Sequence, residues 1–441
     1  MRTVIRNARI VNEGRITEGD ILINDDRIDQ IGAQLSAPEA REIDASGCFL
    51  MPGIIDDQVH FREPGLTHKA CIATESAAAA AGGVTSFMDM PNVKPPSLTQ
   101  ALLEERYALA ARYAAVNYSF YMGVSNDNGE EVLRTDPKTV CGTKIFMGSS
   151  TGSMLVDNEQ TLERIFAGSA TLIALHCEDE KRIRERSEHF RQRYGEEVPF
   201  AEHPNIRDEM ACLLSSQYAV NLARKHNTRL HVLHISTAEE LALFEPGPLA
   251  GKRITAEACV HHLFFDASDY AALGSKIKCN PAIKDARHKP LLRAALVEGR
   301  LDVIATDHAP HTLEEKAGTY FNAPAGLPLV QHSLNIMLAI AEQEGWDLPF
   351  LAHKMSHAVA DCFHIRERGY LREGYFADFF LLDPDVEWTV NKEQLLYRCG
   401  WSPLEGRQFR GQVRQTWVNG TQVWDSSAGL LHRAGKRLLF H

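Results

Sequence analysis

Short apolar runs alternate with amphipathic stretches along the middle of this chain, from residue 52 to residue 369. This alternation is typical of βα units, which pack as a parallel sheet covered by helices. Eight runs are strand candidates: 53–60, 84–90, 117–124, 143–147, 171–177, 230–236, 254–259 and 301–307. Eight such units predict an α/β fold of the (β/α)8 TIM-like barrel type. A doubly wound open sheet is the alternative, although no G-x-G-x-x-G turn follows the first strand.

Both ends of the chain show a different pattern from the middle. Apolar and polar residues alternate there in short runs, and Gly, Asn and Asp stand at the turns, as in the hairpin signal Asn419-Gly420. Because the two ends share this pattern, we expect residues 1–51 and 370–441 to form one small flanking β-sandwich domain. Residues 52–369 would then form the barrel.

Composition narrows the classes of function. The 441 residues carry 47 Lys and Arg against 58 Asp and Glu, a net charge of −11, so no nucleic-acid partner is expected. The nine cysteines form no C-x-x-C pair, which disfavours a disulfide framework and indicates a reducing compartment. No apolar run reaches the roughly 18 residues of a membrane span, and no signal-peptide pattern opens the sequence. We therefore expect a cytoplasmic protein with no membrane partner.

Residue types that bind metals stand on the strand candidates, mostly at their carboxyl ends. Five strands carry one each: His60, Lys144, His176, His234 and Asp307. Gln58 lies two residues before His60, so the two side chains face the same way. Active sites of (β/α)8 barrels lie at the carboxyl ends of the strands, and imidazole with carboxylate suits zinc. With 19 histidines in the chain, one such residue alone would more often be structural, but five strands together predict a metal site.

Lys144 needs a separate interpretation, because an ammonium group repels a metal ion. It could bind a phosphate or form a salt bridge. A buried, neutral lysine can instead react with CO2 to give N6-carboxylysine, whose anionic oxygens could bridge two metals. The residue pattern leaves these alternatives open.

Six motifs of the middle region carry a family resemblance. They read HFREPGLTHK, DMPNVKP, TKIFMGSSTG, IALHCED, HVLHIST and IATDHAPH. With these motifs the chain resembles the dihydroorotase family of the cyclic amidohydrolase superfamily. Its two ends resemble the flanking β domain of that family. The resemblance covers nearly the whole chain and implies a zinc-dependent hydrolase.

The resemblance implies a role for each of the metal-binding candidates. His60 matches the second histidine of the family's H-x-H motif, and Lys144 matches a carboxylated lysine that bridges two metals in many relatives. His176 and His234 match the ligands of the second metal. Asp307 matches a residue that both binds metal and transfers protons. One or two zinc ions per chain are therefore implied.

Four further residues match the family's substrate contacts: Arg62, Asn92, Asn280 and His311. Arg62 has a planar guanidinium that can bind a carboxylate through two hydrogen bonds. Hydantoinase-like relatives lack this arginine, so its presence favours a substrate that carries a carboxylate beside its ring. A surface salt bridge is the alternative interpretation of Arg62.

The activity that the resemblance implies is reversible hydrolysis of the cyclic amide of (S)-dihydroorotate to N-carbamoyl-L-aspartate, in de novo pyrimidine biosynthesis. Two alternatives stay open. The chain could act on another cyclic amide, as hydantoinases, dihydropyrimidinases and allantoinases do. It could also be an inactive scaffold that holds aspartate carbamoyltransferase. The relatives also lead us to expect a homo-oligomer.

The sequence departs from the family pattern in two places. Gln58 stands where the family has the first histidine of H-x-H, and an amide oxygen is a poorer zinc ligand. The first metal site is therefore expected to be weakened, occupied by another metal, or empty. Lys284 stands where many relatives have arginine. We expect His231, His261 and His262 to be structural. The segment 148–152, GSSTG, is expected either to cap the ligand or to form a simple loop.

Overall fold

The computed structural model describes residues 2–148 and 154–441, so most of the GSSTG segment lies outside the described residues. The strands are β1 (Arg2–Asn12), β2 (Arg15–Asn24), β3 (Arg27–Gly32), β4 (Arg41–Asp44), β5 (Phe49–Pro52), β6 (Ile54–Val59), β7 (Val84–Asp89), β8 (Asn117–Phe120), β9 (Met122–Gly123), β10 (Thr143–Met147), β11 (Ile173–Cys177), β12 (Leu230–Val232), β13 (Ile254–Cys259), β14 (Val303–Ala305), β15 (Phe379–Thr389), β16 (Gln408–Val418), β17 (Thr421–Asp425) and β18 (Gly429–Leu430). The α-helices are α1 (Ile72–Ala81), α2 (Gln100–Tyr113), α3 (Gly129–Leu133), α4 (Glu159–Gly168), α5 (Glu180–Tyr194), α6 (His203–Ile206), α7 (Glu209–His226), α8 (Val260–Phe264), α9 (Tyr270–Leu273), α10 (His288–Glu298), α11 (Leu313–Lys316), α12 (Ser333–Glu344), α13 (Leu348–Ala352) and α14 (Ala358–Phe363).

The two ends of the chain form one sheet, as the shared pattern predicts. Its strands follow the order β18-β17-β16-β15-β5-β1-β2-β3, and β4 pairs with β1. The ends meet where β15 runs antiparallel to β5, with Phe380 opposite Met51. Apolar residues of both ends share one buried cluster, in which Phe379 and Trp417 stack at 5.6 Å. Residues 436–438 leave this sheet and hydrogen-bond to Tyr118 of β8. The domain boundaries themselves stay a prediction.

The middle of the chain forms parallel strands at each of the eight predicted places. Strands β6, β7 and β8 pair in order, and strands β9 to β14 pair in order. The predicted strand 117–124 is β8 followed by β9, with only Tyr121 between them. Most of these strands are buried along their whole length, and an all-apolar run such as Ile173–Leu175 reflects a strand covered on both faces. The predicted α/β class with a parallel sheet and a flanking β domain is confirmed.

The first and last parallel strands lie side by side at one seam. Val59 forms a parallel bridge with His308, and the His60 backbone N–H donates to the His308 carbonyl at 2.7 Å. The side chain of Asp56 accepts hydrogen bonds from the backbone and hydroxyl of Thr306 across the same seam. The pairing is otherwise divided between two parallel sheets, and complete closure into a barrel stays a prediction.

Helices cover the parallel strands where the amphipathic stretches predict them. The stretches 98–115, 208–226 and 285–299 contain α2, α7 and α10. Helix α7 begins at Asp208, whose side chain accepts from the Ala211 N–H, and ends at Asn227 in the left-handed conformation. Among the described residues, no helix is both long and apolar enough to cross a membrane.

Candidate active site

One cavity of about 720 Å³ opens at the carboxyl ends of the parallel strands. All ten residues that the sequence predicts as ligands or substrate contacts line it: Gln58, His60, Arg62, Asn92, Lys144, His176, His234, Asn280, Asp307 and His311. The fold therefore brings together side chains that are up to 253 residues apart in the sequence (58 to 311). Their individual roles stay predictions.

Three of the cavity residues have a left-handed backbone. The φ angles are 65° at Arg62, 39° at His234 and 48° at Asp307. A residue other than glycine pays about 1–3 kcal/mol for a sparsely populated conformation, and such strain clusters at functional sites. The strands β12 and β14 end two residues before His234 and Asp307, so the turned backbone aims these side chains into the cavity.

His60 and Asp307 form the first pair of candidate ligands. The Nε2 of His60 lies 3.0 Å from Oδ1 of Asp307, and its Nδ1 lies 2.8 Å from Oδ1 of Asn92. Burial lowers the pKa of His60, which favours the neutral ring that a metal requires. Burial alone would raise the pKa of Asp307, but the hydrogen bond and charge of His60 outweigh it and hold that pKa below its usual value.

Gln58 is a hydrogen-bond donor to this pair. Its Nε2 donates to Oδ1 of Asp307 at 3.1 Å, while its Oε1 accepts from the Cys259 thiol at 3.6 Å. The side-chain oxygen, which would be the metal ligand, is thus directed at Cys259. This geometry gives the predicted ligand role of Gln58 no support.

His176 and His234 form the second pair of candidate ligands. Nδ1 of His176 lies 2.9 Å from Nε2 of His234. Burial lowers the pKa of His176. Burial also lowers the pKa of His234 well below its usual range, and the repulsion that a second proton on the His176–His234 pair would meet adds to this. Both rings are therefore neutral near pH 7, the form in which imidazole binds a metal.

Glu178 orients the second pair and was not found from the sequence. Its Oε2 lies 2.8 Å from Nε2 of His176 and accepts from Nη1 of Arg207 at 2.5 Å. A carboxylate on the far nitrogen of a histidine fixes the tautomer and the ring plane of a metal ligand. Its position two residues after His176, at the end of a buried strand, is the signal that could have identified it.

Lys144 is buried within the cavity wall, with 1% of its surface exposed. Burial lowers its pKa to about 8, so a substantial share of this lysine is the neutral amine at mildly alkaline pH. Its Nζ lies 4.5 Å from the centre of the Phe146 ring. The nearby charge of Asp307 acts against burial. A neutral, water-poor amine is the form that reacts with CO2.

Arg62 and His311 lie together at another part of the cavity wall. Nη2 of Arg62 is 3.0 Å from Nε2 of His311, and the Nε of Arg62 donates to the Pro310 carbonyl. Burial lowers the pKa of Arg62 to about 10, which leaves it charged at neutral pH. The cavity thus has a cationic wall in addition to the four candidate ligands of the two pairs.

The remaining residues singled out from the sequence have distinct surroundings. Asn280 lines the cavity, and its buried Oδ1 has no hydrogen-bond partner among the described residues. Lys284 donates to the Ser236 hydroxyl at 3.0 Å. His261 and His262 are buried beside Cys279, and their ligand atoms lie within 4.8 Å of one another. His231 contacts Asp57 and Glu257 in a second buried group of this kind.

The donor types in the cavity suit zinc, and they form two separate pairs, His60 with Asp307 and His176 with His234. The ring nitrogens of three neutral histidines and one ionised carboxylate face one space, and Glu178 orients one of the histidines from outside it. Ligand atoms within each pair lie 2.9–3.0 Å apart, which is close to the separation of two atoms bound to the same zinc.

The fold and this site define the class of the protein. A family model described as "Amidohydrolase family" matches residues 49–423, and the chain belongs to that family. It is 32% identical over 426 residues to a dihydroorotase of Halobacterium salinarum, covering 96% of both chains. It is 31% identical over 442 residues to an allantoinase of Solibacter usitatus, covering 99% of this chain and 96% of the relative. An L-hydantoinase (dihydropyrimidinase) from Arthrobacter aurescens has the same fold, with a TM-score of 0.94, 27% identity and 99% of both chains covered.

Proposed function

We propose that this hydrolase is a zinc-dependent dihydroorotase, which converts (S)-dihydroorotate and water reversibly into N-carbamoyl-L-aspartate. The observation that supports this best is the buried, charged Arg62 in the wall of the cavity that also holds His60, His176, His234 and Asp307. A buried guanidinium in an open cavity favours an anionic ligand, and dihydroorotate carries a carboxylate next to its cyclic amide.

The residues divide the reaction between them. Arg62, Asn92 and His311 would hold the carboxylate, and Asn280 would contact the ring. Asp307, held ionised by His60, would accept a proton from the attacking water and return it to the ring nitrogen as the C–N bond breaks. Zinc would be held by His60 with Asp307, by His176 with His234, or by both pairs, and it would polarise the ring carbonyl and acidify the water. The water oxygen bonds to the carbonyl carbon. Because the C–N bond that breaks is part of a ring, the new carboxyl group and the released nitrogen stay in one molecule.

Several features belong to the same proposal. The eight parallel strands close into a (β/α)8 barrel flanked by a β-sandwich, with residues 52–369 as one domain and both chain ends as the other. One or two zinc ions bind per chain, and Lys144 becomes N6-carboxylysine when two are bound. The enzyme acts on a small molecule in the cytoplasm, for pyrimidine biosynthesis, and assembles as a homo-oligomer.

A different cyclic amide is the second candidate substrate. Two findings support this second candidate. The dihydroorotase and allantoinase relatives are about equally similar to this chain, and the structure of an L-hydantoinase has the same fold. The inactive scaffold for aspartate carbamoyltransferase is a third hypothesis, and Gln58 is the residue that motivates it. Against the scaffold, the candidate ligands and Arg62 are all present in one cavity.

The test measures hydrolysis of dihydroorotate by the purified protein, before and after chelation and after zinc is returned. We expect turnover that the chelator removes and zinc restores. Arg62→Met should lower kcat/KM for dihydroorotate by at least about 100-fold, because the carboxylate loses its charged partner. Turnover of hydantoin or allantoin, with none of dihydroorotate, would favour the second candidate. Absence of turnover on all three, in any metal state, would favour the scaffold.

A further inference from the structure

Lys69 approaches His311 on the side opposite to Arg62. Its Nζ lies 3.0 Å from Nδ1 of His311, while Arg62 approaches Nε2. We propose that Lys69 is a positioning residue, which holds His311 in the tautomer with its proton on Nε2 and thereby keeps Arg62 free to bind an anionic ligand. This inference rests on the proposed carboxylate-bearing substrate.

The hydrogen-bonding capacity of the groups around His311 determines its tautomer. An ammonium group can only donate, so Nδ1 of His311 accepts from Lys69. Burial and the charges of Arg62 and Lys69 lower the pKa of His311 well below its usual range, so the ring carries a single proton. That proton is then on Nε2, where the Ala325 carbonyl accepts it at 3.0 Å.

This tautomer leaves Arg62 without an acceptor at His311. A guanidinium also can only donate, so Nη2 of Arg62 and the N–H of His311 are two donors that face each other 3.0 Å apart. Two donors at this distance repel, so Arg62 gains no hydrogen bond from His311, and its Nη2 stays available to an anionic oxygen of a ligand. The arrangement is therefore a site preorganised for a carboxylate.

The other tautomer would close this site. With its proton on Nδ1, His311 would accept a hydrogen bond from Arg62 through Nε2, and a ligand would have to break that bond before it could bind. The lone pair on Nε2 would also repel a carboxylate. Lys69 excludes this tautomer because an N–H on Nδ1 would point at its ammonium group.

Glu315 holds Lys69 in place and favours its charged form. Oε1 of Glu315 lies 3.1 Å from its Nζ, and Glu315 is itself fixed by the backbone N–H of Thr312. Burial and the charge of Arg62 lower the pKa of Lys69, and the hydrogen bond to Glu315 opposes this. Lys94 also lines the cavity and is exposed. Since no contact joins it to His311 among the described residues, Lys94 is a matched control for loss of positive charge.

The experiment compares Lys69→Met, Lys69→Arg and Lys94→Met with the wild-type protein. Two ligands differ only by the carboxylate: dihydroorotate and uncharged dihydrouracil, used as a substrate or as a competitive inhibitor. For Lys69→Met we expect KM for dihydroorotate to rise about 10- to 100-fold with little change in kcat, the range that one charge-assisted hydrogen bond controls. Binding of dihydrouracil should not change. Lys69→Arg, which also only donates, should restore most of the affinity.

A direct measurement of the tautomer accompanies the kinetics. In 15N-histidine-labelled protein, the His311 signals, assigned by their loss in His311→Asn, should show the proton on Nε2 in wild type and a shift toward Nδ1 in Lys69→Met. A proton on Nδ1 in the wild type would overturn the inference. So would an equal rise in KM for Lys94→Met, which would mean that only total charge matters. If the wild type does not bind dihydroorotate at all, the proposed function fails, and the tautomer measurement still decides the role of Lys69.

Discussion

Two groups of histidine and carboxylate lie on the parallel strands or just after them, and their pKa values are shifted in opposite directions. In the open pair, His60 and Asp307, each side chain is 11% exposed to the cavity, and both pKa values lie below their usual values. In the closed cluster, Asp57, His231 and Glu257, the side chains have no exposure, and the pKa values of His231 and Glu257 are raised. The open pair is thus a neutral imidazole beside a carboxylate, which are the forms that bind a metal.

In the closed cluster, His231 and Glu257 favour their protonated forms instead. Burial and the charge of Asp57 raise the pKa of Glu257 to about 8. Burial opposes the charge on His231, but its contacts with Cys362, Asp57 and Glu257 outweigh burial. A histidine that keeps its proton has no lone pair for a metal. The same residue types therefore serve two purposes, and access to the cavity distinguishes them.

The closed cluster forms hydrogen bonds with residues of the cavity wall from the buried side. Oε1 of Glu257 accepts from the backbone N–H of His234 at 2.9 Å, at the residue whose backbone is left-handed. Oε1 of Glu257 also contacts the Cys259 thiol, which in turn contacts Gln58. Two candidate site residues are thus fixed from the buried side by hydrogen bonds that begin at one carboxyl group.

The largest expected effect separates the open pair from the closed cluster. Asp307→Asn should lower kcat for the proposed reaction by about 10³-fold or more, because the proton acceptor is lost. The matched variant Asp57→Asn should keep kcat close to that of the wild type and lower the unfolding free energy. Steady-state kinetics and urea denaturation of both variants measure these effects. A large loss of kcat in Asp57→Asn with normal stability would contradict the distinction.

A second pair of variants tests whether Glu257 of the closed cluster positions His234. Glu257→Leu leaves the buried backbone N–H of His234 without its acceptor and removes one partner of His231, so unfolding free energy should fall by about 1–3 kcal/mol. Glu257→Gln keeps an oxygen that can accept from His234 and should lose less. Urea denaturation gives the stability, and bound zinc per chain reports on His234. If both variants are equally stable and bind equal zinc, Glu257 does not position His234.

The pH dependence of stability should reveal the closed cluster separately. Glu257 and His231 hold protons in the folded state that the unfolded chain releases at lower pH, so the stability they provide falls as pH rises from about 5 to 8. Each proton contributes a slope of at most about 1.4 kcal/mol per pH unit. Glu257→Gln should flatten the slope. Asp307→Asn should leave the slope unchanged. The pKa of Asp307 lies below its usual value, so this residue changes the stability only at a more acidic pH. An unchanged slope in Glu257→Gln would contradict the raised pKa.

Much of the fold could be predicted because buried parallel strands have a clear signature. The predicted strands 143–147 and 254–259 match β10 and β13 residue for residue. The predictions 230–236 and 301–307 run beyond β12 and β14, because the backbone turns left-handed at His234 and Asp307 and leaves the ladder. The periodicity of the sequence does not predict this turn, because the turn depends on contacts such as the hydrogen bond from the His234 N–H to Glu257.

The predicted site residues all line one cavity, whereas the residues that orient them were missed. Lys69 and His311 are 242 residues apart, and Glu257 reaches His234 from a neighbouring strand. Their roles depend on which nitrogen or oxygen faces which donor, and a single sequence does not record this. Glu178 alone had a local signal, since it follows His176 by two residues.

The smallest expected effect concerns Gln58, which links the two regions. Its oxygen is engaged by Cys259 and its amide N–H by Asp307, so it holds the open pair without offering a ligand atom. Gln58→His would place an imidazole beside His60 and Asp307. Zinc affinity should then rise roughly 10-fold or more, the size of effect that changes around a metal site usually have. Competition with a chelator and zinc content per chain measure this in the full-length protein. Gln58→Ala is the control, because it removes the hydrogen bonds and adds no ligand. If Gln58→His and Gln58→Ala bind zinc equally, the open pair is not a metal site, and its short His60–Asp307 contact serves proton transfer alone.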